Sequence, residues 1–230
     1  MKHFATTMLT FGIMLAAVPS ARAADTTCPP SPSAGSTIHG NLIVPTNATC
    51  ELDDGTVTGN VVVGTGATFQ SIPDTGQTVT INGNIVGDRC KAIVLDTTEG
   101  GGMISVEGNV SIKNCANGRN SGYSGRITIS GNFVCANTSS SFGCVAQSGI
   151  VQGNLTVDNN SSAIGGPFVV SNRVSGNVDF SGNSSANAPE LSGNTIGGNL
   201  RCFDNSPAPG DDIFGPNTVS GNKEGQCAGL

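Results

Sequence analysis

The dipeptide Gly-Asn, set each time in the same flanks, recurs along nearly the whole 230-residue chain. The nine copies end at Asn41, Asn60, Asn84, Asn109, Asn132, Asn154, Asn177, Asn199 and Asn222, at intervals of 19, 24, 25, 23, 22, 23, 22 and 23 residues. Three residues before each Asn stands Ile or Val, from Ile38 to Val219. One residue after it stands Leu42, Val61, Ile85, Val110, Phe133, Leu155, Val178 or Leu200, and only the ninth copy departs, with Lys223. β-Branched residues favour strands, and apolar alternation on both flanks predicts two short strands, each with one buried face. Gly and Asn tolerate positive φ, so the pair is expected to bend the chain between them.

Strand, corner and strand at a fixed period is the pattern of a solenoid. At about 3.3 Å per residue, one repeat traces a loop of roughly 75 Å, the perimeter of a three-sided coil filled with side chains. Coils stacked at about 4.8 Å give a body roughly 40 Å long. Phe168, Leu191 and Ile213, fourteen residues after their repeat Asn, are the expected markers of a third strand. Two further sets, Asn172, Asn194 and Asn217, and Asn114, Asn137 and Asn159, are expected to form stacked side-chain amide ladders. No segment of the mature chain carries helical periodicity. The fold class expected is all-β: a single parallel β-helix of about nine coils.

Asn-laddered coils of this length resemble right-handed parallel β-helices of the pectin-lyase-like type. The chain is also similar to exported bacterial proteins with the same Gly-Asn repeat. The resemblance covers residues 36 to 224. It implies little about activity, because one fold hosts many functions.

Residues 1–23 read as a secretory signal peptide: Lys2, an apolar stretch from Phe4 to Val18, then Ala21-Arg22-Ala23 before the cleavage point. The mature domain is expected to run from 24 to 230 and to be secreted, extracellular or periplasmic. All eight cysteines follow the leader. An even count in an exported chain points to disulfides rather than zinc, with no Cys-x-x-Cys and only His39 beyond the leader. Cys90 and Cys115 each lie six residues after their repeat Asn and stack in adjacent coils. Cys28 and Cys50 are 22 residues apart, about one turn, and Cys202 and Cys227 are 25 apart across the last two coils. Cys135 and Cys144 remain, to staple a loop.

Without the leader the chain has 8 basic and 16 acidic residues, with no basic stripe for nucleic acid. No later run is long and apolar enough for a membrane span. The resemblance to pectate lyases and polygalacturonases implies clustered Asp with Arg, Lys or His. The candidate cluster is Asp88, Arg89, Lys91, Asp96 and Glu99, and the acidic pairs Asp53-Asp54 and Asp211-Asp212 are expected to lie in water. No metal or cofactor is expected. The absence of Trp and a single Tyr, Tyr123, count against sugar stacking, and most Phe fall at inward positions. Ile43, Val62 and Val86 fall at outward positions and form a candidate interface. The functional expectation is a non-catalytic structural or binding protein at or beyond the cell surface, its partner a surface polysaccharide or another envelope protein. The alternatives are a lyase or hydrolase of acidic polysaccharide and a self-assembling polymer resembling bactofilins.

Overall fold

The structure, a computed structural model, describes residues 24–116 and 121–230, so the expected leader lies outside the described residues. The chain winds as a parallel β-solenoid with three sides. The leading side, before each Gly-Asn, stacks nine strands from Ser36–Ile38 to Thr218–Val219. The trailing side, after it, stacks nine from Leu42–Val44 to Lys223–Gly225, and Thr26–Thr27 adds a tenth in front. The far side stacks seven, from Thr49–Glu51 to Glu190–Ser192. Every pairing between strands is parallel and joins consecutive coils, which is what the repeat demands; the isolated bridge of Asp74 to Gly101 is antiparallel. Leu42, Val61, Ile85, Val110, Phe133, Leu155, Val178 and Leu200 form one unbroken interior column at 0% exposure. Ile38, Val57, Ile81 and their successors form a second across the prism. Burying such a side chain contributes roughly 1.5–3 kcal/mol, so these columns set the register of every coil.

At the corner the reason for glycine differs from the expected one. Of the repeat glycines only Gly40 has positive φ, at 98°. The others lie against the coil before. A Cβ on Gly83 would come within 2.5 Å of the Gly59 carbonyl oxygen and 2.7 Å of Asn60 Oδ1, and Gly108, Gly131 and Gly153 are equally confined. The asparagine fills that space. Each backbone N–H from Asn60 to Asn222 donates to Oδ1 of the preceding repeat Asn at 2.8–2.9 Å. Side-chain amides donate to the same oxygens from Asn60 to Asn177. At the first coil no earlier Asn exists, and Asp25 Oδ1 takes its place, accepting from Asn41 N at 3.2 Å and Nδ2 at 2.9 Å.

Two buried ladders line the other corners. Asn172, Asn194 and Asn217 stack as expected. Asn114, Asn137 and Asn159 do not form a ladder. They occupy the left-handed region at φ 56°, 55° and 52°, a conformation Asn tolerates, and their coil-to-coil counterparts are Arg89, Gly182 and Asp204. The ladder lies one residue further on, in Asn160, Asn183 and Asn205, and ends on Gln226 Oε1. Six residues after the repeat Asn is therefore an inward corner position, which earlier coils fill with Cys90, Cys115 and Thr138.

The far side is the least regular. Phe168 stacks on Glu190 rather than Leu191, because the loop before Glu190 is one residue shorter. Ile213 belongs to no strand and is 61% exposed. After Gly210 bridges to Glu190, the chain leaves the prism and folds back over its outside. Four disulfides join Cys28–Cys50, Cys90–Cys115, Cys135–Cys144 and Cys202–Cys227, with Cα separations of 5.5, 4.6, 6.3 and 5.3 Å. The third closes the loop between two strands, as expected; both its cysteines are fully buried, and it ties the trailing side to the far side within one coil. A short 3₁₀ helix, Gln226–Gly229, covers the last coil.

Because Asn183 both accepts from Asn160 and donates to Val157 O and Asn205 Oδ1, Asn183→Ala is expected to cost about 2–3 kcal/mol in urea unfolding. Asn137→Gly should change stability by less than ~0.5 kcal/mol, while Asn137→Val should cost about 1 kcal/mol or more, since a β-branched residue is excluded from positive φ. Equal effects at the two positions would remove the distinction between ladder and bend.

Candidate functional groove

A concavity of about 620 Å³ lies on the outside of the far side. Its floor follows from strand alternation. Val94, Gly122, Val145 and Phe168 stack as one outward column, and Asp96, Ser124, Gln147 and Val170 as the next. Gly122 must be glycine: its φ is 133°, and a Cβ there would meet the Val145 carbonyl oxygen at 1.9 Å. The floor consequently has no side chain between Val94 and Val145. Phe142 stands beside Phe168, ring centroids 6.0 Å apart and tilted by 49°. The loop that leaves the prism after Gly210 supplies Ile213 and Phe214 as a roof over the later coils. It is seated by Gly193, whose N–H donates to Gly215 O at 2.8 Å, and by Glu190 Oε1, which accepts from Ile213 N at 3.0 Å.

Asp96 and Glu99 are the charged residues of the lining, both at its early-coil end. Asp96 Oδ1 accepts from Thr98 N at 2.8 Å and from Thr98 Oγ1 at 2.6 Å, which orients the carboxylate. Among the described residues the ion pairs are Arg89–Asp88 and Arg201–Glu224, so neither groove carboxylate is matched by a cation. Ser124 and Gln147 add neutral polar groups in mid-floor, their Oγ and Oε1 atoms 3.4 Å apart.

The charged cluster anticipated from the sequence is split by the fold. Asp88 and Arg89 pair at 3.3 Å on the trailing corner, where Asp88 also accepts from Asn114 Nδ2 at 2.6 Å. That hydrogen bond, with Arg89 and Lys113 nearby, lowers the Asp88 carboxyl below the usual range, so it is an ion-paired carboxylate rather than a poised base. Lys91 immediately precedes the far-side strand Ala92–Asp96 and Asp96 closes it, which puts them roughly 16 Å apart. Asp53 and Asp54 accept from Ile72 N and Thr78 N, one coil on. Among the described residues no three His, Cys, Asp or Glu converge as metal ligands.

Ile43, Val62 and Val86 do stack as one outward column of the trailing side, with Thr27 in front of them. Val62 and Val86 are 39% and 41% exposed, and Ile43 is half-buried. Phe69, Phe133 and Phe180 are inside as expected, but Phe142, Phe168, Phe203 and Phe214 are not, and three of those four line the groove. Tyr123 is in the core, edge-on to Phe133 with centroids 4.8 Å apart. Its hydroxyl donates to Asn172 Oδ1 at 3.0 Å and so closes the head of a buried ladder, while burial raises its pKa.

Comparison of the chain with models of known protein families, with curated proteins and with solved structures finds no match.

Outside the groove, desolvation and the neighbouring Asp179 raise the pKa of Asp158. The native state then holds this proton to higher pH than the unfolded chain. The associated stability is complete below the ordinary aspartate value of 3.8 and lost as pH rises through the folded value. Asp158→Asn is therefore expected to raise Tm at pH 7 and to converge with the parent at low pH, as followed by thermal scans across pH. A lower Tm at pH 7 would reverse the assignment.

Proposed function

We propose that the protein is an exported, non-catalytic binding protein and that the groove on its far side is the ligand site. The observation that carries this reading is the groove itself: a floor with an apolar column of Val94, Val145 and the part-exposed Phe168, flanked by the part-exposed rings of Phe142 and Phe214. Exposed aromatic rings around a concavity of several hundred Å³ suit a ligand with an apolar body. Export is supported by the leader-like residues 1–23 and by four disulfides, which persist in oxidising compartments. Among the described residues no helix is long and apolar enough to cross a membrane. The coil length and Asn ladders support placing the chain near the pectin-lyase-like β-helices and the exported Gly-Asn-repeat proteins. An acidic polysaccharide would meet two carboxylates in the groove, while the Arg89 corner lies on another edge. Charge therefore favours binding over lyase or hydrolase chemistry at this site.

A neutral apolar reporter, N-phenyl-1-naphthylamine, is expected to fluoresce on binding the intact protein. Phe142→Ala with Phe214→Ser should weaken that binding by about ten-fold or more at unchanged Tm. Undiminished binding would dissociate the groove from the ligand. Depolymerisation of an acidic polysaccharide, with or without calcium, would overturn the non-catalytic part.

A further inference from the structure

We infer that the groove selects ligands carrying a positive charge: small organic cations with an aromatic or aliphatic body and one ammonium or guanidinium group. This rests on the reading of the groove as a ligand site and adds the chemistry of what enters it. Charge is unevenly distributed along the groove. Apolar surface runs from Val94 across the gap at Gly122 to Val145, Phe168 and the Phe214 roof. Among the described residues, all of the lining's formal charge is negative and gathered at one end, at Asp96 and Glu99. From the coil of Asp96 to the coil of Phe168 is three stacking steps, roughly 14 Å. That length accommodates a ring system at one end and a cationic head at the other.

The carboxylates are placed for such a head. Asp96 spends Oδ1 on the Thr98 backbone and hydroxyl, and among the described residues no bond engages Oδ2. Neither acid is neutralised by a cation among the described residues. Aromatic faces attract cations as well, so Phe142 and Phe168 favour the same sign of charge where the head lies near them. An anionic ligand would have to bring its charge beside two carboxylates, which costs affinity.

Three ligands with one body separate charge from apolar fit: 1-naphthylmethylamine, 1-naphthalenemethanol and 1-naphthylacetate, titrated by calorimetry against the full chain at pH 7 and low salt. The amine is expected to bind at least about five-fold more tightly than the alcohol, and the acetate most weakly. Added salt should shrink the amine's advantage, because both carboxylates face solvent. Asp96→Asn with Glu99→Gln should bring the ratio of amine to alcohol affinity close to one. Asn at 96 can keep the bonds from Thr98, so the double variant should fold. Equal binding of amine and alcohol by the parent, or a preference that survives in the double variant, overturns charge selection while leaving a groove that binds the alcohol. Failure of all three to bind overturns the ligand-site reading together with it. A dimer in sedimentation that Phe214→Ser dissolves would assign the groove to a second copy of the chain instead.

Discussion

A parallel coil must pair its backbone across every corner, and corners are where strand geometry stops doing so. Along the strands, each N–H meets a carbonyl one coil away. At a bend the chain turns, and some N–H groups would face the interior with no acceptor, a loss of about 1–3 kcal/mol for each buried group. Asparagine meets this need because one amide supplies an acceptor to one neighbouring coil and a donor to the other. The Gly-Asn corner couples two requirements at one site: glycine lets successive corners touch, and the asparagine oxygen occupies the space that contact leaves. Substituting either residue disturbs the coil before as well as its own.

The ladders run in opposite directions. Along the Gly-Asn corner each oxygen accepts from the following coil. In both buried ladders it accepts from the preceding coil. Aligned amide dipoles in a low-dielectric stack accumulate a field along the axis, and opposed ladders offset one another. Each ladder also needs a terminating group of the right kind. The corner ladder begins with unmet donors and is met by the Asp25 carboxylate. One buried ladder begins with an oxygen that accepts from the Tyr123 hydroxyl and Gly149 N, and the other with an oxygen that accepts from Thr138. The later ends of the latter and of the coil stack meet at Gln226.

How much could be read from the sequence follows from the same physics. The leading and trailing columns were legible because a buried apolar residue at a fixed offset from the corner admits few substitutes. The Asn114, Asn137 and Asn159 set misled because two demands, left-handed φ and a ladder amide, select the same residue type at adjacent positions. Only the counterparts Gly182 and Asp204, which cannot continue an amide ladder, carry a hint of the difference. The far side was obscured by loops of unequal length, which moved Phe168 onto Glu190 and carried Ile213 out of the prism. The groove was harder still. Val94, Val145, Phe168 and Phe214 share no offset from their corners, and their outward direction depends on a strand register that the repeat does not specify. The charged cluster failed for a related reason: residues adjacent in sequence were separated by the length of one strand.

An unclosed stack of parallel strands is a template for further stacking, and the two ends of this one are treated differently. At the first coil, Cys28 N donates to Ile43 O, after which Pro29, Pro30 and Pro32 offer no N–H to an approaching strand, and Ser31 Oγ takes the Glu51 N–H. Here the edge is blunted by removing donors. At the last coil the apolar column is broken instead. Lys223 stands where Leu200 stood, its amine reaches the Leu230 carbonyl oxygen, and the 3₁₀ turn tied by Cys202–Cys227 lies over what remains. A copy arriving end to end would have to bury an ammonium group against the core of its neighbour, which is costly without a matching carboxylate. An outward surface that is apolar and concave lies on the flank, built from side chains rather than from free strand edges.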